Sequence, residues 1–262
     1  MDNDTDAYWR QQKIIITAAG SGIGADVMAA FLERGAQVYF CDVVADRVAE
    51  MRARFPGLRG EVVDVADPDA VDAFVDAGVK ALGGLSILIN NAGIAGPAGP
   101  VETISTEDWN RTFAVNVAGQ FYCVRRAVPA LKANGGGSIV NMASVAGKFG
   151  FPLRSPYSTS KWAVVGFTRG LSIELGAHKI RVNAILPGVV EGDRIRRVFT
   201  DRAAAKGISY DEMAAQALAS VSLGSMVTHQ EIADLILYVT SPAGRNITGQ
   251  QLSICGGMEW LV

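Results

Sequence analysis

The chain has 262 residues, of which 49% are hydrophobic and 19% charged, with a formal net charge of −2. This is ordinary globular composition, enough for one large α/β domain, and it offers no basic face for a nucleic acid or an anionic membrane. No stretch approaches the ~18 uninterrupted apolar residues of a transmembrane helix, and the polar start MDNDTDAYWRQQ lacks the basic end and apolar run of a signal peptide, so the chain reads as cytoplasmic.

Residues 1–12 read as a flexible leader and residues 13–262 as one domain, with no linker and no internal repeat. Short β-branched runs lie at Lys13–Thr17, Gln37–Cys41, Arg59–Val63, Leu85–Ile89, Ser138–Met142, Arg181–Leu186 and Gln251–Ile254. Amphipathic stretches separate them, among them Gly22–Arg34, Asp67–Leu82, Thr106–Asn134, Tyr157–Gly176 and Gln230–Thr240. Asp67 is placed to cap its helix with Pro68 in the first turn, while Gly35 and Gly176 are placed to close theirs. Strands alternating with helices predict a single Rossmann-type, doubly wound α/β domain, its parallel sheet covered by helices on both faces. Cys41, Cys123 and Cys255 have no CxxC spacing and read as reduced; His178 and His229 lie too far from each other and from any Cys or acidic cluster to suggest a metal site.

In such folds ligands bind outside the carboxyl ends of the strands. The unusual residues collect there: Ala18–Gly24, Asp42, Asp64, Asn90–Gly93, Ser144 and Pro187–Gly188 each follow a predicted strand. In Thr17–Gly24 the backbone of Ser21, Gly22, Ile23 and Gly24 opens a helix, where unpaired N–H groups suit a pyrophosphate. The spacing is not GxGxxG, and a plain tight turn is the alternative. Asp42 stands eighteen residues after Gly24 at the end of the second strand, where a carboxylate accepts from an adenosine ribose and repels a 2′-phosphate. No Lys or Arg occurs between Thr17 and Arg34, and Val43 follows Asp42, so NAD is favoured over NADP. Asp64 and Val65 are placed to meet the adenine, although Asp64 could equally cap a turn.

Tyr157 and Lys161, four residues apart on a predicted helix, share one face. A free phenol, with a pKa of about 10, is a poor base near neutrality; a neighbouring ammonium and an oxidised nicotinamide favour phenolate. Lys161 can also bond the nicotinamide ribose, Ser144 can hold the substrate oxygen, and Asn116 can position a proton relay behind Lys161.

Asn90-Asn91-Ala92-Gly93, Asn116, Ser144, Tyr157-Ser158-Thr159-Ser160-Lys161 and Pro187-Gly188, in this order, resemble the signature of the classical short-chain dehydrogenase/reductase family, and the likeness runs from about Ile14 to Gly257. It implies a seven-stranded sheet, an Asn116–Ser144–Tyr157–Lys161 tetrad, cofactor contacts from Asn91, Ala92, Gly93, Pro187 and Gly188, and a homotetramer or, less often, a dimer. Three departures stand out. Ala18 replaces the family's usual glycine, and Cys255 stands where an Asp often precedes the C-terminal Gly-Gly. The threonine that usually follows Pro-Gly and bonds the nicotinamide carboxamide is missing from residues 187–192, so backbone around Val190 is the remaining candidate for that contact.

The variable parts are residues 145–156 and an insertion at about 191–223, read as a lid. Arg194, Arg196 and Arg197 suit a solvated helical face; the sharper reading has Arg154 or one of these three meet a substrate anion beside Ser144 and Tyr157. The sequence therefore predicts an NAD-dependent oxidoreductase interconverting a secondary alcohol and a ketone on a sugar, polyol or hydroxy acid. A 3-ketoacyl-thioester reductase is one alternative. A non-catalytic dinucleotide sensor is another, and such relics tend to lose the Ser, Tyr or Lys that this chain keeps.

Overall fold

The computed structural model describes residues 3–258 and 260, apart from the side chains of 3–6, 194, 201, 202 and 205. Seven strands, β1 (Lys13–Thr17), β2 (Gln37–Asp42), β3 (Arg59–Val62), β4 (Ile87–Asn90), β5 (Gly137–Met142), β6 (Ile180–Pro187) and β7 (Gln251–Ile254), form one parallel sheet in the order β3-β2-β1-β4-β5-β6-β7. The order reverses between β1 and β4, which opens the crevice where such sheets bind ligands.

Ten helices are described: α1 (Asn3–Arg10), α2 (Gly22–Glu33), α3 (Ala45–Arg54), α4 (Pro68–Leu82), α5 (Thr106–Phe113), α6 (Gly119–Ala133), α7 (Ser155–Gly176), α8 (Asp193–Lys206), α9 (Tyr210–Leu218) and α10 (His229–Thr240). Strand alternation divides the core. Ile14 and Ile16 point to one face with Phe31, Phe40 and Ile236, and Ile15 points to the other with Tyr39, Phe74 and Leu88. The predicted helix 106–134 is interrupted by one π turn, Ala114–Ala118, which carries Asn116. As expected, Asp67 caps α4 by accepting from Asp69 and Ala70 N–H, and Gly35 turns left-handed (φ 82°) after α2. At the end of α7 the left-handed residue is Lys179 (φ 58°), not Gly176.

The predicted leader is corrected. Residues 3–10 form α1, which places Trp9 in the core at 2% exposure, edge-on to Phe31 at 5.4 Å, while the Tyr8 hydroxyl donates to Thr240 O at 2.9 Å. The insertion also has its own order: α8 and α9 pack Phe199, Ala203, Met213 and Ala217 into a separate small core. Its base is a parallel bridge in which Val227 N–H donates to Val189 O (2.8 Å) and Glu191 N–H to Val227 O (2.9 Å). At the tail, Met258 folds back onto Val145 and Val221. Among the described residues no helix is long and apolar enough to cross a membrane, and no group of His, Cys, Asp and Glu could hold a metal ion.

Candidate active site

The site grows from the loops that leave β1, β2, β4 and β5. Ser21 begins α2, yet its side chain makes no capping bond, whereas Asp67, Ser105, Ser209 and Thr228 cap α4, α5, α9 and α10. Ser21 and Gly22 are exposed, Ile23 is half-buried and Gly24 is buried. A Cβ on Gly24 would lie 2.3 Å from Ala18 O and 2.4 Å from Asn91 Nδ2, so only glycine lets this turn close. Gly22 (φ 57°) faces open space: a Cβ there would meet only the His229 ring, at 3.9 Å. An uncapped helix start walled by glycine fits the anionic centre of a dinucleotide.

Three polar side chains shape this turn. Thr17 Oγ1 accepts from the N–H groups of Asn91 and Ala92, each at 3.0 Å, and Asn91 Nδ2 donates to Thr17 O (3.2 Å) and Ala18 O (2.9 Å). Asp42 is buried at 4% exposure and accepts from Gly20 N–H and Val44 N–H, both at 3.0 Å. Each carboxylate oxygen keeps a second lone pair. Arg47 stands beside it, with its Cβ 2.7 Å from where a Cβ on Gly20 would be. Sequence reasoning missed Arg47, which lies on α3 and approaches the turn only through the fold.

The remaining cofactor candidates divide. Asp64 accepts from Ala66 N–H at 3.0 Å and pairs with Arg111 at 2.8 Å; burial pushes its carboxyl up, but these partners hold it below the usual value. Val65, expected against an adenine, is buried in the core, pressed where a Cβ on Gly119 would come within 2.9 Å. Ala92 is buried, and Gly93 lies so close to the centre that a Cβ on it would be 3.3 Å from Lys161 Nζ and 3.4 Å from Asn116 Oδ1. Pro187 ends β6, and Gly188 N–H donates to Ile254 O at 2.9 Å with Cys255 against its α-carbon. The Val189 and Glu191 bonds to Val227 leave the backbone groups of Val190 directed away from that bridge.

Of the four tetrad candidates, Ser144 follows β5, Asn116 holds the loop after β4, and Tyr157 and Lys161 lie on α7. Ser144 begins a 3₁₀ turn, Val145–Gly147, and accepts from Ala146 N–H at 3.2 Å. Ser158 Oγ fastens this turn to α7 by donating to Ala146 O at 2.9 Å, and a Cβ on Gly147 would lie 2.7 Å from Lys161 O. Lys161 is 4% exposed and donates from Nζ to Met142 O at 2.9 Å, 5.6 Å from the Tyr157 ring centre. The Arg154 guanidinium lies at the same 5.6 Å from that ring and donates to Ala95 O at 3.0 Å. Tyr157 thus has two cations close by. Asn116, fully buried, clamps Ile94 by accepting from its N–H (2.8 Å) and donating to its carbonyl (3.0 Å), and also donates to Ser160 Oγ (3.0 Å), which donates to Tyr157 O (2.7 Å). Arg194 falls within α8, but its side chain lies outside the described residues.

Residues 17–259 match the family model described as enoyl-(acyl carrier protein) reductase. An uncharacterized oxidoreductase of Thermotoga maritima is 36% identical over 93% of this chain and 96% of its own length. The chain belongs to the short-chain dehydrogenase/reductase family. Among solved members, NAD+-bound xylitol dehydrogenase superposes with a TM-score of 0.88 at 28% identity, covering 94% of this chain and 98% of that one. A variant of actinorhodin polyketide ketoreductase with NADPH also gives 0.88, at 31% identity and coverages of 95% and 97%. This short-chain dehydrogenase/reductase therefore has relatives among both polyol dehydrogenases and ketoreductases, with either nicotinamide dinucleotide.

Proposed function

We propose that this oxidoreductase is an NAD-dependent dehydrogenase interconverting a secondary alcohol and a ketone on a small polar substrate such as a sugar, polyol or hydroxy acid. The observation that carries the reading is Tyr157, with Lys161 and Arg154 each 5.6 Å from its ring, in the crevice that holds Asp42 and the uncapped glycine turn. When bound, the dinucleotide supplies the hydride acceptor or donor. Tyr157 takes the substrate hydroxyl proton in oxidation and returns it in reduction, and the two cations favour the phenolate it must become. Ser144 Oγ holds the substrate oxygen against charge that develops there. Lys161, anchored on Met142 O, bonds the nicotinamide ribose, and Asn116 fixes the loop after β4 and, through Ser160, the start of α7. Ser21, Gly22, Ile23, Gly24, Ala92, Gly93, Pro187, Gly188 and Val190 line the dinucleotide, and Asn91 shapes the turn it lies on. Arg154 and Arg194 are the candidates for a substrate anion.

Asp42 selects NAD by placing a carboxylate where a 2′-phosphate would sit. A 3-ketoacyl-thioester reductase using NADPH is the second reading, and Arg47 beside Gly20 favours it. We further propose a cytoplasmic homotetramer, since Phe121 on α6 and Trp162 and Ile173 on α7 stand exposed on the long helices that the family uses for assembly. Titration with NADH and NADPH, then an alcohol panel with the preferred cofactor, tests the assignment. NADH is expected to bind at least about tenfold tighter, a difference of ~1.4 kcal/mol, with polyol or sugar oxidation following. Tighter NADPH binding contradicts the Asp42 assignment and supports the reductase.

A further inference from the structure

An imidazole stands beside Gly192, the residue before α8. His229 opens α10, where the Thr228 and Glu231 capping box fixes the backbone. Its Nδ1 lies 2.8 Å from Asp26 Oδ2, and Asp26 sits one turn along α2 from Gly22. The ring lies against two glycines, Gly22 and Gly192. Its Cε1 is 3.9 Å from where a Cβ on Gly22 would be, and Cε1 and Nε2 are each 3.5 Å from the same point on Gly192. Neither glycine places a side chain between the ring and the crevice, and the histidine side chain remains 25% exposed. An ionised carboxylate only accepts, so Nδ1 carries the hydrogen in the bond to Asp26, which sets the ring plane and directs Nε2 toward the loop before α8.

We propose that His229, oriented by Asp26, donates from Nε2 to the pyrophosphate of the bound dinucleotide. To bond both anions, the ring donates from Nδ1 to Asp26 and from Nε2 to the diphosphate. Because the ring also borders Gly192, the first residue before α8, the same contact would tie cofactor binding to the base of the lid. The inference rests on the dinucleotide reading given above.

Fluorescence titration with NADH, and its displacement by ADP-ribose and by adenosine, tests it in wild type, His229→Ala, His229→Gln and Asp26→Asn, with the thermal midpoint of each recorded. His229→Ala is expected to weaken NADH and ADP-ribose by about tenfold or more, while adenosine, which has no phosphate, binds as to wild type. His229→Gln, with a neutral donor, and Asp26→Asn, with a neutral acceptor in place of the carboxylate, should fall between. Wild-type affinity for NADH and ADP-ribose in both His229 variants overturns the proposal alone. An equal loss of adenosine affinity does so too, because the change is then structural. Failure of the wild-type protein to bind NADH overturns the dinucleotide reading and this proposal with it.

Discussion

At Ala18 the backbone takes φ 52°, a left-handed conformation that costs an L-residue about 1–2 kcal/mol relative to glycine. Asn91 offsets part of that cost by donating to Thr17 O and Ala18 O. Ala18→Gly relieves the strain but adds freedom to the unfolded chain, so a net gain of about 0.5 kcal/mol is expected as a higher urea midpoint; a lower midpoint contradicts the strain. The sequence identifies Ala18 as unusual, but its conformation is a property of the folded loop. Tyr157 and Lys161 are legible for a local reason, since four-residue spacing places them on one helix face. Arg154 is legible only as a nearby positive charge, and its place over the Tyr157 ring depends on Ala95, distant in sequence. Removing that cation disfavours phenolate. Arg154→Met should therefore move the rise of alcohol oxidation to higher pH, and an unmoved pH profile would show that Arg154 does not act on Tyr157.

Among the elements, β1 and β2 announce themselves by β-branched and aromatic runs, and α4 by Asp67-Pro68, because these signals act within a few residues. Helix α1 has no such signal. It is short and mostly polar, too short to be stable alone, and it holds because Trp9 reaches Phe31 and Tyr8 reaches Thr240. Trp9→Ala should destabilise the protein by about 3–5 kcal/mol through the cavity it leaves, measured by urea unfolding; a loss below about 1 kcal/mol would return residues 3–10 to the status of a leader. Helix α3 is similarly hidden, since only Val48 and Met51 of its side chains are buried, and Arg47 is hidden with it. The π turn at Asn116 is invisible for another reason: Ala114–Ala118 continues an unbroken helical pattern, and the extra residue shows only in the backbone.

For the whole molecule, alternating strands and helices make the parallel sheet legible, and the loops richest in glycine and polar residues mark its working edge. The strand order brings β1 and β4 together, so Thr17 can bond the backbone after β4 and join the dinucleotide turn to the catalytic side of the crevice. The approach of His229, Arg47 and Arg154 to that edge depends on how α10, α3 and the loop before α7 pack, which no local pattern encodes. We propose that Tyr157 performs the proton transfer in a crevice that binds its cofactor independently. The most direct measurement is alcohol oxidation by Tyr157→Phe alongside NADH titration of the same variant. If Tyr157 carries this role, kcat falls about 10²–10⁴-fold while NADH affinity stays within about threefold of wild type. Substantial activity in this variant would contradict it.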